Sequence, residues 1–338
     1  MAIKIKDIFI KGYDRIIHAT HEVTSLNCII SIHNTKLGPA LGGVRSWSYK
    51  NFNDQLKDTI KLSEAMTLKN SICGINFGGG KATLNLNKIS KTKDLYKSYA
   101  EVVESLKGMY ITAGDVGTSK EDLIQCSKIT KFVNGINIET SGPTAKGIFN
   151  AMKSANNFIN KSYDLSTISI AISGVGKVGG KLAKLLSETG ATITAASADP
   201  ELITNLKKII KITEVNPKDL YKSECDFVSP CALGSAINLS NRTELKCKGI
   251  IGGANNQLDT PDTAEWLFKN NILYCPDYLV NAGGVIAIAC EINKSENILD
   301  SQLKQIGERL TQILIESVKN KKSTEIIAKK IALDRINK

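Results

Sequence analysis

Apolar residues gather between 24 and 33 in TSLNCIISIH, and the pattern predicts a strand. The turn-rich LGPALGG, Leu37 to Gly43, follows it. Asp54 then opens a helical pattern with Leu56, Ile60, Ser63 and Met66/Thr67 on one stripe. That helix carries Lys69 at its C-terminal end, where a cation also suits the dipole. Next, Gly78-Gly79-Gly80-Lys81 reads as a tight turn between an apolar run and Ala82-Thr83-Leu84, because a glycine triplet is poor material for a strand interior. Residues 94 to 107 predict a second helix, and 109 to 112 a strand leading into Ala113-Gly114-Asp115-Val116-Gly117-Thr118.

A new pattern begins after a break at Ser141-Gly142-Pro143-Thr144. Helix-like residues 145 to 159 lead through a loop at Lys161 to a strand from Ser166 to Ser173. That strand runs into Gly174-Val175-Gly176-Lys177-Val178-Gly179, followed by helical KLAKLLSETG and the strand ATITAAS. GxGxxG alone is a weak signal. Between a strand and a helix it predicts a dinucleotide site, with pyrophosphate at the helix N-terminus. The acid expected for the ribose is displaced: Ser197 stands first and Asp199 two residues later. If Asp199 reaches the ribose the cofactor is NAD, the preferred reading; if Lys207 or Lys208 swings toward Ser197 it is NADP. Further strand ends carry small and amide residues, at Ser229-Pro230-Cys231-Ala232-Leu233-Gly234, Gly252 to Gln257, and Asn281 to Gly284. A doubly wound sheet presents such residues at the edge where ligands bind. From about Ser301 the chain is lysine-rich and helical.

At 338 residues the chain has material for roughly two domains. It is 42% hydrophobic and 23% charged, with no apolar run near the roughly 20 residues a bilayer span needs. Its first segment, MAIKIKDIFIKGYDR, is too charged for a secretory signal, so a cytoplasmic location is expected. Eight scattered cysteines form no CxxC and read as reduced core residues. The three histidines, all within the first 33 residues, have no partners for a metal site, so no metal is expected. A net charge of +11 lacks any basic patch interleaved with aromatic residues, so neither a nucleic-acid nor a membrane partner is expected.

The chemistry-bearing residues leave alternatives open when read one at a time. A desolvated Lys81 favours its neutral amine and suits a general base, but the same turn could hold a solvated lysine. Lys69 could serve only the helix dipole. Asp115, between two glycines at a strand end, could be a turn residue or a carboxylate presented into a cleft.

Taken in order, the strings LGPALGGVR, MTLKN, GGGK, ITAGDVGT, SGPTAKG, GVGKVG, SPCALG, GGANNQL and PDYLVNAGGVI closely resemble the Glu/Leu/Phe/Val dehydrogenase family, and within it the leucine dehydrogenase branch. They run from about residue 29 to 290, which makes the likeness far more specific than any one motif. The resemblance implies a two-domain α/β fold. An N-terminal α/β substrate and oligomerisation domain would span 1–142, a Rossmann-type doubly wound domain 143–300, and C-terminal helices 301–338 would return to the first domain. Catalysis would occur in the interdomain cleft, which closes on substrate.

The family's site carries over by matching positions. Lys69 would bind the substrate α-carboxylate, helped by backbone at Gly42 or Gly43 and an amide of Asn255 or Asn256. Lys81 would be the catalytic lysine, and Asp115 would hold the amino group and relay protons. Hydride would leave the substrate Cα for nicotinamide C4, and Lys81 would activate the water that attacks the resulting iminium. Leu41, Ala113, Val285 and Ile288 would line the side-chain pocket. Thr144, Gly174, Val175, Gly176, Lys177, Val178, Gly179, Ser197, Asp199, Cys231, Ala232, Asn255 and Asn281 would hold the cofactor.

Glutamate dehydrogenases of the family carry a lysine where this chain has Leu41 and a serine where it has Ile288. A glutamate carboxylate there would lose water without a partner, at a cost of several kcal/mol. An apolar, branched-chain L-amino acid is therefore expected, interconverted with its 2-oxo acid and ammonia, with an aromatic one (Phe or Trp) as the alternative. Three departures stand out. Gly114 replaces the usual glutamate, which would loosen the loop carrying Asp115; the segment before Thr144 is short; and the C-terminus looks truncated. They leave open a specialised substrate such as tryptophan, or a smaller homo-oligomer than usual, a dimer or larger being expected. A non-catalytic nucleotide- or amino-acid-sensing relative is the rival of a different class.

Overall fold

The computed structural model describes residues 2–232 and 234–338, so Leu233 of the SPCALG string lies outside the described residues. The chain divides into two units, Met1–Ile138 with Ala332–Lys338, and Glu139–Ile331.

The first unit contains β1 (Lys4–Ile8), β2 (Arg15–His21), β3 (Leu26–Asn34), β4 (Ala40–Trp47), α1 (Phe52–Ile72), β5 (Gly78–Asn85), α2 (Lys93–Ser105), β6 (Tyr110–Gly114) and α3 (Lys120–Ser127). Its six strands are ordered β1-β2-β3-β5-β4-β6. The first three run antiparallel to their neighbours, and β4 lies parallel to both β5 and β6.

Successive side chains of a strand point to opposite faces, and here the two faces differ in kind. Cys28, Ile30, Ile32, Ala82 and Leu84 join Tyr96, Tyr99 and Val103 of α2 in an apolar core. The alternate residues meet α1 through hydroxyls and amides. Ser31 bonds Ser63 at 2.9 Å, His33 bonds Thr67 at 2.8 Å, and Thr83 bonds Thr59 at 2.7 Å. Lys81 shares this polar face with Thr83, two residues along β5.

Three local expectations are corrected by this packing. Gly78–Lys81 is not a turn but the start of β5, and Ala40 to Gly43 are the start of β4 rather than part of a loop. None of these glycines has a positive φ. They are glycine because a Cβ has no room: at Gly79 it would collide with backbone and hydroxyl of Thr67, and at Gly42 with the Gly80 carbonyl. The stripe of α1 is also shifted. The helix starts at Phe52, capped by Asn51, and its buried residues are Gln55, Thr59, Leu62, Ser63, Thr67, Asn70, Ser71 and Ile72, while Leu56 and Ile60 are only half-buried. A polar strand face selects the polar side of the helix. Asn70 completes the fit by donating to the Gly78 carbonyl at 2.6 Å.

The second unit begins with α4 (Ser141–Asn160), so the SGPT string is the first turn of a helix and not a break. Pro143 is tolerated there because first-turn N–H groups have no intrahelical partner. There follow β7 (Ser169–Ser173), α5 (Lys177–Glu188), β8 (Thr192–Ala196), α6 (Pro200–Lys207), β9 (Thr213–Glu214), β10 (Cys225–Pro230), β11 (Cys247–Ile250), α7 (Pro261–Lys269), β12 (Leu273–Tyr274), α8 (Asp277–Val280), α9 (Gly283–Ile292) and α10 (Leu299–Asn320). All six strands are parallel, in the order β12-β11-β10-β7-β8-β9. Counted within the unit this is 3-2-1-4-5-6, the doubly wound dinucleotide-binding order, with its switch between β7 and β10.

Helix α10 belongs to this unit, because Leu303, Ile306, Leu310, Ile313 and Leu314 form a buried stripe. Gly147 of α4 and Gly307 of α10 let the two helices approach, a Cβ at Gly147 falling 2.7 Å from Ile306 Cδ1. The expected return of residues 301–338 is thus confined to the end of α11 (Thr324–Ile336), whose Arg335 donates to the Ser71 and Ile75 carbonyls. Among the described residues no helix is long and apolar enough to cross a membrane.

The glycine packing gives a direct test. Gly79→Ala forces backbone apart and is expected to destabilise by about 3 kcal/mol or more. Gly114→Ala, whose Cβ would meet Leu123 Cδ1 at 3.5 Å, is expected to be neutral or slightly stabilising. Urea midpoints of the two variants check the contrast.

Candidate active site

Strands β4, β5 and β6 run side by side in one direction, with Gly43 paired to Ala113 and Val44 to both Ala82 and Gly114. Asp115 therefore leaves β6 close to Lys81 on β5. Its Oδ2 lies 2.9 Å from Lys81 Nζ and 3.1 Å from Arg45 Nε of β4. Arg45 Nη1 also reaches Asp58 of α1 at 3.1 Å, and the Tyr49 hydroxyl donates to the same carboxylate at 2.6 Å. Lys81 is 5% exposed, so its charge is taken out of water and met by a carboxylate. Burial raises the Asp115 pKa, but Lys81 and Arg45 outweigh it and bring the carboxyl down from 3.8 to about 2. Burial likewise opposes the charge of Arg45, and Asp115 with Asp58 overcomes it, so the guanidinium is held above its ordinary value.

The other expected substrate residues of this unit lie on β4, β6 and α1. Leu41 and Ala113 are buried in the sheet, and Gly42 and Gly43 are held close to neighbouring strands. Lys69 is half-buried in the last turn of α1, two residues beyond the Thr67 that packs on Gly79. Arg45, Asp58 and Tyr49 had no role in the sequence reading. Arg45 stands inside the LGPALGGVR string, and the signal for it was a charge at an inward strand position, registered opposite Thr83.

In the second unit the GVGKVG turn and the Cys231-Ala232 loop, both expected to hold the cofactor, meet at the β7–β10 switch. Gly174 has φ +88° and donates to the Ala196 carbonyl at 2.8 Å. A Cβ on it would fall 2.8 Å from Ala232, so the GVGKVG turn and the Cys231-Ala232 loop touch. Gly179, in the first turn of α5, has no room for a Cβ against the Gly174 carbonyl, whereas nothing lies within 4 Å of one at Gly176. That open face at a helix N-terminus, beside Lys177, could hold a pyrophosphate. Val175 is buried, and Val178 packs on Gly253. Thr144 lies against Gly284 of α9, and Asn281 donates to Asn255 Oδ1 at 3.0 Å while its own buried Oδ1 has no protein partner. Such an orphaned acceptor fits an amide-bearing ligand. Asn256 is exposed with φ +51°. Val285 and Ile288 are half-exposed on one face of α9.

At the second strand end, Asp199 caps α6 by accepting from Glu201 N at 3.0 Å, and Ser197 Oγ accepts from Asp199 N at 3.1 Å. The lysines proposed for a 2′-phosphate are engaged elsewhere, Lys207 with Glu214 and Lys208 with Asn205.

Comparison with known proteins now bears on this geometry. The family model described as "Glu/Leu/Phe/Val dehydrogenase, dimerisation domain" matches residues 9–131, and "Glutamate/Leucine/Phenylalanine/Valine dehydrogenase" matches 198–332. The chain belongs to the Glu/Leu/Phe/Val dehydrogenase family. It is 38% identical to the phenylalanine dehydrogenase of Lysinibacillus sphaericus, over 91% of this chain and 85% of that one. It is 34% identical to the leucine dehydrogenase of Geobacillus stearothermophilus, over 96% and 90%. The crystal structure of L-tryptophan dehydrogenase from Nostoc punctiforme matches 96% of each chain with a TM-score of 0.87 at 34% identity. As a member of this family the protein is a nicotinamide-dependent amino acid dehydrogenase, an oxidoreductase.

Two outcomes test these placements. Gly176→Ala is expected to leave the melting temperature within about 2 °C, since its Cβ meets nothing, yet to weaken dinucleotide binding about tenfold or more in fluorescence titration by crowding the phosphate. Asp115, with its pKa lowered to about 2, contributes stability that is present above its unfolded value of 3.8 and lost as pH falls toward 2. Asp115→Asn is expected to lower stability at neutral pH by about 2 kcal/mol and to flatten acid denaturation between pH 4 and 2, read by circular dichroism.

Proposed function

We propose that the protein catalyses the reversible, NAD-dependent oxidative deamination of an apolar L-amino acid, branched-chain first. The observation that carries this reading is the Lys81–Asp115 pair, 2.9 Å apart on the polar face of the first sheet. A bound nicotinamide supplies the hydride acceptor; the chain's own residues do the rest. Lys69 binds the α-carboxylate, with backbone at Gly42 and Gly43 assisting. Asp115, kept ionised by its two cations, holds the substrate amino group. Lys81 takes a proton from the water that attacks the oxidised substrate carbon, and that proton passes on to the departing ammonia, with Asp115 as the relay. A buried lysine next to a fixed carboxylate has no purpose in a mere sensor, where binding alone suffices.

The substrate class rests on Leu41 and Ile288, apolar where a glutamate side chain would need a cation. One methylene changes affinity in such a pocket by only about 1–3 kcal/mol, which supports broad aliphatic specificity. An aromatic substrate is the second reading, favoured by relatives named phenylalanine and L-tryptophan dehydrogenase. NAD is preferred over NADP because Lys207 and Lys208 are paired away from Ser197. A homo-oligomer is supported by the match to a dimerisation-domain model and by apolar residues left outside, Phe9 at 94% and Val23 at 72% exposed.

Turnover of L-Leu, L-Val, L-Ile, L-Phe, L-Trp and L-Glu with NAD and with NADP tests the reading. Aliphatic substrates with NAD are expected to react, and Lys81→Ala to lose at least about a thousandfold in kcat. Turnover of aromatic substrates alone would transfer the assignment to the second reading. Dinucleotide binding without turnover of any of them would refute the enzyme.

A further inference from the structure

The Asp115 carboxylate has two cationic partners on one atom. Lys81 Nζ and Arg45 Nε contact the same Oδ2, at 2.9 and 3.1 Å, so the two cations lie within about 6 Å of each other, where like charges still repel appreciably. Arg45 is fixed there from behind. Its other nitrogen holds Asp58, whose Oδ2 also takes the Tyr49 hydroxyl, and Arg45 and Asp58 are both partly shielded from solvent, at 22% and 28% side-chain exposure. Signs alternate along the row: Lys81, Asp115, Arg45, Asp58.

We infer that Arg45 is a positioning residue for catalysis, sharing Asp115 with Lys81 so that neither the carboxylate nor the amine is locked in a closed one-to-one ion pair. The assignment rests on the roles proposed above for Lys81 and Asp115. A lone Lys81–Asp115 pair would be self-satisfied: the anion would hold the ammonium, and the amine needed as a base would be scarce. The second cation removes part of that attraction and adds repulsion, both of which favour proton release from Lys81. Asp115 meanwhile stays ionised whether or not Lys81 carries its proton, because Arg45 remains beside it. The charged and titratable groups in contact within this cluster are Lys81 of β5, Asp58 of α1, Tyr49 and Asp115 itself, with Thr83 of β5 registered opposite Arg45. A guanidinium suits the post because it stays charged under all working conditions and its fork reaches two carboxylates at once.

The test is the reactivity of the Lys81 amine in the intact protein. Acetic anhydride modifies only neutral amines, and the rate at Lys81 is read by mass spectrometry relative to Lys4, which is 75% exposed. In Arg45→Met, Lys81 is expected to be acetylated about tenfold more slowly than in the wild type, the size of effect a charge about 6 Å away produces. Loss of fold would do the reverse, exposing Lys81 and speeding its reaction. Arg45→Lys, which keeps the charge, is expected to stay within about threefold of wild type. With a substrate identified by the turnover panel, Arg45→Met should lose kcat while KM for the amino acid moves little. Unchanged or faster acetylation in Arg45→Met would overturn the inference. Should that variant fail to fold, Asp58→Asn decides: removing an anion leaves Lys81 acetylation equal or faster, and slower acetylation would overturn it. The labelling needs no turnover, so an inactive wild type would refute the proposed activity and still leave this result to stand or fall.

Discussion

The first unit depends on the burial of Lys81. A cation with 5% of its surface exposed must be met by an anion and surrounded by polar atoms, or its desolvation would work against the fold. Asp115 supplies the anion at 2.9 Å, and the face around it is rich in polar groups: Ser31, His33 and Thr83 on the strands, Gln55, Thr59, Ser63, Thr67 and Asn70 on α1, with Ile29, Leu41 and Leu62 among them. A sheet with one apolar and one hydroxyl-rich face is the result, and six of the eight buried residues of the helix that covers the second face are polar.

Such a face tolerates little distance. Hydroxyl-to-hydroxyl contacts near 2.7–2.9 Å demand that α1 lie low on the sheet, and Gly79, where a Cβ would collide with Thr67, is what permits it. Within the sheet β4 pairs with both β5 and β6, which sets Arg45 and Lys81 on the same carboxylate oxygen. The glycines that look like loop residues are strand residues held in close packing.

The second unit solves a different problem, the approach of a polyanionic cofactor to backbone. Gly174 takes a positive φ so that the chain can turn from β7 into α5, Gly179 lets helix and turn touch, and Gly176 leaves its face clear. The amides Asn255 and Asn281 are tied to each other at the neighbouring strand ends, with one buried oxygen left for a ligand. Charge plays little part in this arrangement; backbone direction does the selecting.

The sequence by itself determined the doubly wound unit and the identity of the chemistry. GVGKVG between a strand and a helix is a local signal, since strand, turn and helix N-terminus are all made within one stretch of chain. The ordered strings that carry Lys69, Lys81 and Asp115 were equally legible, because each is short and contiguous. Tertiary structure decided the rest. Gly78–Lys81 became a strand, and the buried stripe of α1 ran through threonine, serine and asparagine, because both answer to a surface contributed by residues far away in the chain. Periodicity of apolar residues reports burial only where the partner surface is apolar, and this partner is not. Arg45 was hidden for the same reason. Its meaning lies in two carboxylates, 13 and 70 residues along the chain, that only the fold brings to it.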